Sequence, residues 1–203
     1  MKKVSVVIPM YYEQEVAEVC YKRVKKVLDE LKEKYEHEII FINDGSKDKT
    51  LDILQDIAKV DKNVKIISFS RNFGHQAAVT AGLKYVTGDA IIIIDADLQD
   101  PPELIPDMIE KWEQGYEVIY GKRKKRNGES AFKLLTAKAF YTTLNKLSDV
   151  DIPGDTGDFR LVDKKVVDVI NSLPEHNKFL RGLFSWVGFE QYEYEYERKE
   201  RYA

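Results

Sequence analysis

Within the run Asp95-Ala96-Asp97-Leu98-Gln99-Asp100, four side chains carry oxygen ligands. Carboxylates this close repel one another unless something positive sits among them, and a hard divalent cation is the natural partner for such oxygens. Asp97 and Gln99 are the candidate ligands, and a metal held there would neutralise a diphosphate. A lone Asp-x-Asp is more often a polar loop capping a helix. Here the context points to chemistry. The run follows Ala90-Ile-Ile-Ile-Ile94, which reads as a strand buried on both faces, and it precedes Pro101-Pro102, which suits a turn and the first turn of a helix. Open α/β sheets bind ligands at the carboxyl ends of their strands.

The elements around that strand repeat one pattern. Residues 3–10 read as a buried strand, with Pro9 and Met10 at its end. Val16, Val19, Val24, Val27, Leu28 and Leu31 then recur at helical spacing. Residues 38–43 predict a second strand, and Asp44-Gly45-Ser46 a turn, with Ser46 or Asp48 as N-cap of a helix carrying Leu51, Leu54, Ile57 and Ala58. A third strand is expected over 64–69, a small-residue helix over 76–86 and the fourth strand over 90–94. Alternating strands and helices predict right-handed βαβ units and a mostly parallel sheet. Further on, helices are expected over 104–112, 131–147, 164–171 and 179–186, and a fifth strand over 117–120. Residues 155–160 read as a turn entering a short strand, and 187–196 as an edge strand with one wet face.

Bulk properties narrow the function. The chain has 203 residues, 43% of them hydrophobic, enough for one sizeable core. A net charge of −3 does not suggest a general nucleic-acid binder. Cys20 is the one cysteine, so an internal disulfide is excluded and a reducing compartment is expected, with Cys20 a small buried apolar residue. No window of ~18 uninterrupted apolar residues is present. The apolar run Val4 to Ile8 is too short for the core of a signal peptide.

In a parallel sheet the strand ends bring Pro9 to Glu13, Asp44, Asn72 to Gly74 and Asp95 to Gln99 to one edge. Tyr11 offers a face for a nucleobase, and Glu13 and Asp44 offer acceptors for ribose hydroxyls or base N–H groups. Together they favour a nucleotide diphosphate pocket. Neither a Gly-x-Gly-x-x-Gly nor a Gly-x-x-x-x-Gly-Lys-Ser/Thr motif is present, which argues against dinucleotide binding and a P-loop. His37, His75 and His176 lack zinc spacing and read as structural or surface residues. Lys122 to Arg126 is an unbroken basic run, where Arg123 or Arg126 could hold a leaving diphosphate or an anionic acceptor, and Arg181, Arg198 and Arg201 could act in the same way.

Five segments in order, Val-Val-Ile-Pro-Met-Tyr-Tyr-Glu, Ile-Asn-Asp-Gly-Ser, Asp-Ala-Asp-Leu-Gln-Asp-Pro-Pro-Glu, Gly-Asp-Phe-Arg-Leu and Phe-Leu-Arg-Gly-Leu-Phe-Ser-Trp-Val-Gly-Phe, resemble family 2 glycosyltransferases of the polyprenyl-phosphate type. That group includes bactoprenol glucosyltransferases and dolichol-phosphate mannose synthases. The resemblance spans nearly the whole chain. It implies a single α/β domain over residues 1–203 with the GT-A fold, a Rossmann-like, mostly parallel sheet flanked by helices. It also implies Mg²⁺ or Mn²⁺, a nucleotide-sugar donor (UDP-glucose favoured) and inverting transfer of a hexose to a polyprenyl (undecaprenyl) phosphate. The expected setting is cell-envelope glycan modification at the cytoplasmic face of the membrane. Residues 198–203 would begin a juxtamembrane segment, and relatives continue into membrane helices that could also support a homo-oligomer.

Carried over residue by residue, Pro9, Tyr11, Glu13, Asp44, Asp95 and Arg123 match nucleotide-sugar-binding positions. Asp97 and Gln99 match metal ligands, and Arg126 and Arg201 are candidates for the acceptor phosphate. Asp97 and Asp158 match catalytic positions. Tyr12 departs from the family, which usually has Asn there. A polyprenyl phosphate is ionised near neutral pH, so Asp158 is expected to orient sugar or acceptor rather than remove a proton. The alternatives are a hydroxyl or saccharide acceptor, a GDP-mannose donor, a nucleotidyltransferase, and a binding module without catalysis. The absence of Gln-x-x-Arg-Trp argues against a processive synthase.

Overall fold

The computed structural model describes residues 1–123 and 156–198. Its elements are β1 (Lys2–Met10), α1 (Ala17–Glu30), β2 (Tyr35–Asn43), α2 (Thr50–Val60), β3 (Val64–Ser68), α3 (His75–Tyr85) and β4 (Ala90–Ile93). A 3₁₀ turn (Pro102–Leu104), α4 (Ile105–Glu113), β5 (Val118–Arg123), β6 (Thr156–Asp163), α5 (Lys164–Ser172), α6 (Leu180–Trp186) and β7 (Gln191–Tyr196) follow. The expected helix over 131–147 lies outside the described residues, as do Arg126 and Arg201.

The seven strands form one sheet in the order β3-β2-β1-β4-β6-β5-β7. Pairings β3-β2-β1-β4 are parallel, and β6 runs antiparallel to both β4 and β5. The chain moves outward from β1 through β2 to β3 and then returns to the far side of β1 with β4, which opens a crevice at the carboxyl ends of β1 and β4. Two apolar layers hold these strands. Val6, Ile8, Phe41 and Ile92 face α1, α2 and α4, and Val7, Ile40, Ile42, Ile91 and Ile93 face α3, α5 and α6. Val6, Val7 and Ile91 to Ile93 are all but fully buried, which explains an apolar run with no polar alternation.

Three expectations need correction. The stretch after residue 155 is an eight-residue strand, between β4 and β5 in the sheet, not a turn entering a short strand. Its charged Arg160 masks the pattern, although Arg160 is itself buried, bonding to the Gly157 carbonyl and lying over the Phe184 ring. The fifth strand continues to Arg123, so Gly121 to Arg123 are strand rather than loop, because β7 pairs with it along its whole length. Neither Ser46 nor Asp48 occupies the N-cap of α2, which falls on Lys49. Asp48 still accepts from the Thr50 amide at 3.1 Å, while the Ser46 hydroxyl accepts from the Tyr12 amide at 3.0 Å.

Candidate active site

The crevice forms a cleft of about 280 Å³ walled by Pro9, Met10, Tyr11, Glu13, Asp44 and Asn72, together with His75, Ala78, Asp95, Ala96 and Asp97. The four strand-end groups therefore do converge. Backbone geometry aims them. Tyr12 has φ of 57° and Leu98 has φ of 58°, both in the left-handed region, where a side chain other than glycine costs about 1 kcal/mol. Leu98 drives its side chain into the core while the Gln99 amide closes an Asx turn on Asp97 at 3.1 Å, which leaves Asp97 on the cleft wall. Asn is among the residues best suited to the left-handed region after Gly. Tyr12 takes it here, with its ring edge-on to Tyr11 at 4.6 Å.

Asp44 is buried at the end of β2, and its carboxylate accepts from Asn72 Nδ2 at 2.9 Å and from the Phe73 and Gly74 amides at 2.7 and 2.9 Å. Its first effect is to fix the loop entering α3. A carboxylate has about four lone-pair sites, so one remains for a ligand. Gly45 (φ 70°) allows the close passage, since a Cβ there would lie 2.2 Å from the backbone of Arg71.

His75 opens α3 at the same edge. Its Nε2 lies 3.0 Å from Asp158 Oδ2 and 3.7 Å from Asp95 Oδ1. The hydrogen bond to Asp158 raises the His75 pKa, with burial opposing it. Asp158 also takes both Nε and Nη2 of Arg181, at 2.7 and 2.9 Å. Burial alone would push Asp158 up, but Arg181 and His75 outweigh it and hold the carboxyl far below the usual range. Asp95 goes the other way: burial, together with the nearby Asp158, Asp100 and Asp97 charges, lifts it to about 6 against the pull of His75. The two carboxylates thus shift in opposite directions, Asp158 held as an anion by its cations and Asp95 raised by burial and by its carboxylate neighbours.

Not every expected residue lines the cleft. Gln99 is half-buried and lies off its walls. Arg123 ends β5 with its guanidinium against Gly157, next to Asp158 in sequence but outside the cleft. Lys122 is paired with Glu193 at 2.9 Å, and Arg198 turns inward to Asp97 at 3.6 Å and Asp100 at 3.5 Å. Lys122 thus serves a carboxylate of the sheet, whereas Arg181 and Arg198 pair with Asp158 and with Asp97 and Asp100, at or beside the candidate site. Sequence reasoning placed His75 among structural residues, and the structure places it in the site. The available signal was position: it follows the third strand-end loop, where a helix N-terminus faces the crevice.

With this geometry, the comparisons with known proteins agree on the class. The fold is GT-A, and the chain belongs to glycosyl transferase family 2, whose model matches residues 5–170. Among relatives, an uncharacterized glycosyltransferase YkcC of Bacillus subtilis (strain 168) is 57% identical over 98% of this chain and 61% of its own length. A bactoprenol glucosyl transferase of Shigella phage SfX is 47% identical over 99% of this chain and 65% of its own length. The chain spans about three fifths of the length of these curated relatives. Of solved structures, glucosyl-3-phosphoglycerate synthase from Mycobacterium tuberculosis with Mn²⁺, UDP-glucose and glycerol 3-phosphate superposes with a TM-score of 0.64 at 18% identity, covering 100% of this chain and 73% of its own. The mannosyltransferase PcManGT from Pyrobaculum calidifontis, with GDP-Man and Mn²⁺, gives 0.63 at 14% identity over 96% and 55%.

Proposed function

We propose that this chain is the catalytic domain of an inverting glucosyltransferase that moves glucose from UDP-glucose to a polyprenyl phosphate at a membrane surface. The observation that carries the reading is the convergence of Pro9, Tyr11, Glu13, Asp44, Asp95 and Asp97 on one cleft, in a chain 47% identical to bactoprenol glucosyl transferases. Tyr11, 46% exposed at the rim, would stack on uracil, while Glu13 and Asp44 would accept from ribose and base. Residues 1–203 would act as one domain, with 198–203 leading toward the membrane. Among the described residues no helix is long and apolar enough to cross one.

The donor set fits a divalent cation shared with the substrate. Among the described residues no three His, Cys, Asp or Glu side chains group as a complete metal cage. Mg²⁺ and Mn²⁺ in phosphate sites use one or two protein carboxylates and take the rest of their oxygens from phosphates and water. Asp97 on the cleft wall, with Asp95 beside it on the same wall, supplies that arrangement. Gln99 would join from the loop. When bound, the cation would neutralise charge building on the leaving diphosphate.

The protein's own groups do the rest. A carboxylate tied by a bidentate guanidinium is a weak base, and an ionised acceptor phosphate needs none. Asp158 is therefore a positioning group for sugar or acceptor near the start of β6. Arg123, Arg126 and Arg201 are the proposed phosphate contacts.

The test is transfer of labelled glucose from UDP-glucose into an organic-extractable product, with undecaprenyl phosphate and Mn²⁺ in mixed micelles. The reading predicts a phosphate-linked lipid glucose whose formation stops with chelator. Transfer only to a saccharide, or only from GDP-mannose, would overturn it.

A further inference from the structure

A second concavity, of about 730 Å³, opens on the far side of His75, between α3 and residues 176–179. It belongs to a different surface from the donor cleft but shares one wall with it, since His75 lines both. Its lining is aromatic: Phe69, Phe73, Tyr85 and Phe179 border it, and three of these are unusually exposed for their size, at 50%, 62% and 45% for Phe73, Tyr85 and Phe179. Small residues on α3, Ala77 and Ala81, keep the floor open. Gln76 fixes its far wall by accepting from the Leu180 amide at 3.1 Å.

The charges differ as sharply as the shape. The donor cleft is walled by Glu13, Asp44, Asp95 and Asp97. Lys84 and His176 line the groove beside His75, as does Lys178, whose buried ammonium bonds to the Ile170 carbonyl, and none of its described lining residues is acidic. An apolar trough with cations and no carboxylates suits an anionic amphiphile, a molecule with an apolar chain and a negatively charged head.

We propose that this groove holds the first isoprenoid units of the acceptor, with its phosphate turned toward His75 at the wall shared with the donor cleft. The proposal rests on the acceptor class argued above and adds where on the chain that acceptor lies. Separation by a single side chain would let a phosphate oxygen reach across to a sugar in the cleft, while the chain runs out past Phe73 and Phe179 toward a bilayer. The anionic head has a reason to stop at His75: beyond it lie the four carboxylates.

The probe is farnesyl phosphate, with farnesol and inorganic phosphate as separate controls, followed by thermal stability and by titration in the presence of Mn²⁺ and UDP. Two variants outside the donor cleft fill or strip the groove, Ala81→Trp and Tyr85→Ala. Both should weaken farnesyl phosphate binding tenfold or more and leave UDP affinity within twofold, which also reports that the variants are folded. Farnesol and inorganic phosphate should each bind at least tenfold more weakly than farnesyl phosphate. Unchanged farnesyl phosphate affinity in both variants overturns the proposal, as does farnesol binding as tightly as its phosphate. Groove-dependent binding without any glucose transfer by the unaltered chain would reject the transferase reading and leave the groove assignment standing.

Discussion

Asp158 accepts two hydrogen bonds from Arg181 and one contact from His75, and each of these lowers its appetite for a proton. That is the wrong preparation for a general base and a good one for a fixed acceptor of hydrogen bonds from a sugar. Asp158→Asn keeps the shape and removes the charge. We expect transfer to a lipid phosphate to survive within about a hundredfold, measured as kcat with saturating acceptor. A loss of roughly a thousandfold or more would show that Asp158 removes a proton and that the acceptor is a hydroxyl. The sequence alone gave no warning of its partners. His75 and Arg181 are 83 and 23 residues away from Asp158, and only the sheet order brings them together.

At the scale of elements, α3 is the piece whose placement decides the site, since its first residue is His75. It can lie close on the sheet because Gly82 faces it. A Cβ at that position would meet Val7 Cγ1 at 2.5 Å and Ile42 Cδ1 at 2.9 Å, both on fully buried strand residues. Gly82→Ala therefore trades a helix-propensity gain of up to about 1 kcal/mol against overpacking of about 1–3 kcal/mol. The predicted net effect is destabilisation of about 1–2 kcal/mol, read as a lower denaturant midpoint at unchanged slope. The helix–strand alternation up to β4 was legible in the sequence because each strand there is a short apolar run and each helix an amphipathic one. Legibility ended at β6. A buried arginine at position 160 and an antiparallel insertion between β4 and β5 have no periodic signature, so an eight-residue inner strand read only as a turn entering a short one. The strand-end cluster was legible because topology fixes which ends coincide; the partners of Lys122, Arg181 and Arg198 were not, because those are choices among side chains.

Across the molecule, one buried carboxylate ties the sheet to its loops. Glu38 on β2 accepts from Ser5 Oγ on β1 at 2.6 Å, Lys65 Nζ on β3 at 2.6 Å and the Thr87 amide before β4 at 2.7 Å. Burial alone would raise its pKa, but these donors outweigh it and bring it from 4.5 to about 2. Because the folded value is depressed, the stabilisation is complete above about 4.5 and drains away as pH falls toward about 2. Its size is on the order of 3 kcal/mol. Urea midpoints should fall between about pH 6 and about pH 3 in the unaltered chain, and Glu38→Gln should be less stable at the higher pH and lose part of that dependence. An identical pH response in the variant would assign the acid sensitivity elsewhere.

The whole account turns on a metal-assisted nucleotide-sugar site at the β1–β4 crevice. The direct measurement is thermal stability with UDP, GDP, UDP-glucose and GDP-mannose, each with Mn²⁺ and again with chelator, since a ligand that binds only the folded chain raises its stability with the logarithm of concentration over Kd. The account predicts a shift with UDP and UDP-glucose that vanishes with chelator and in Asp97→Ala. A shift that ignores both chelator and Asp97→Ala, or one seen only with guanine nucleotides, would contradict it.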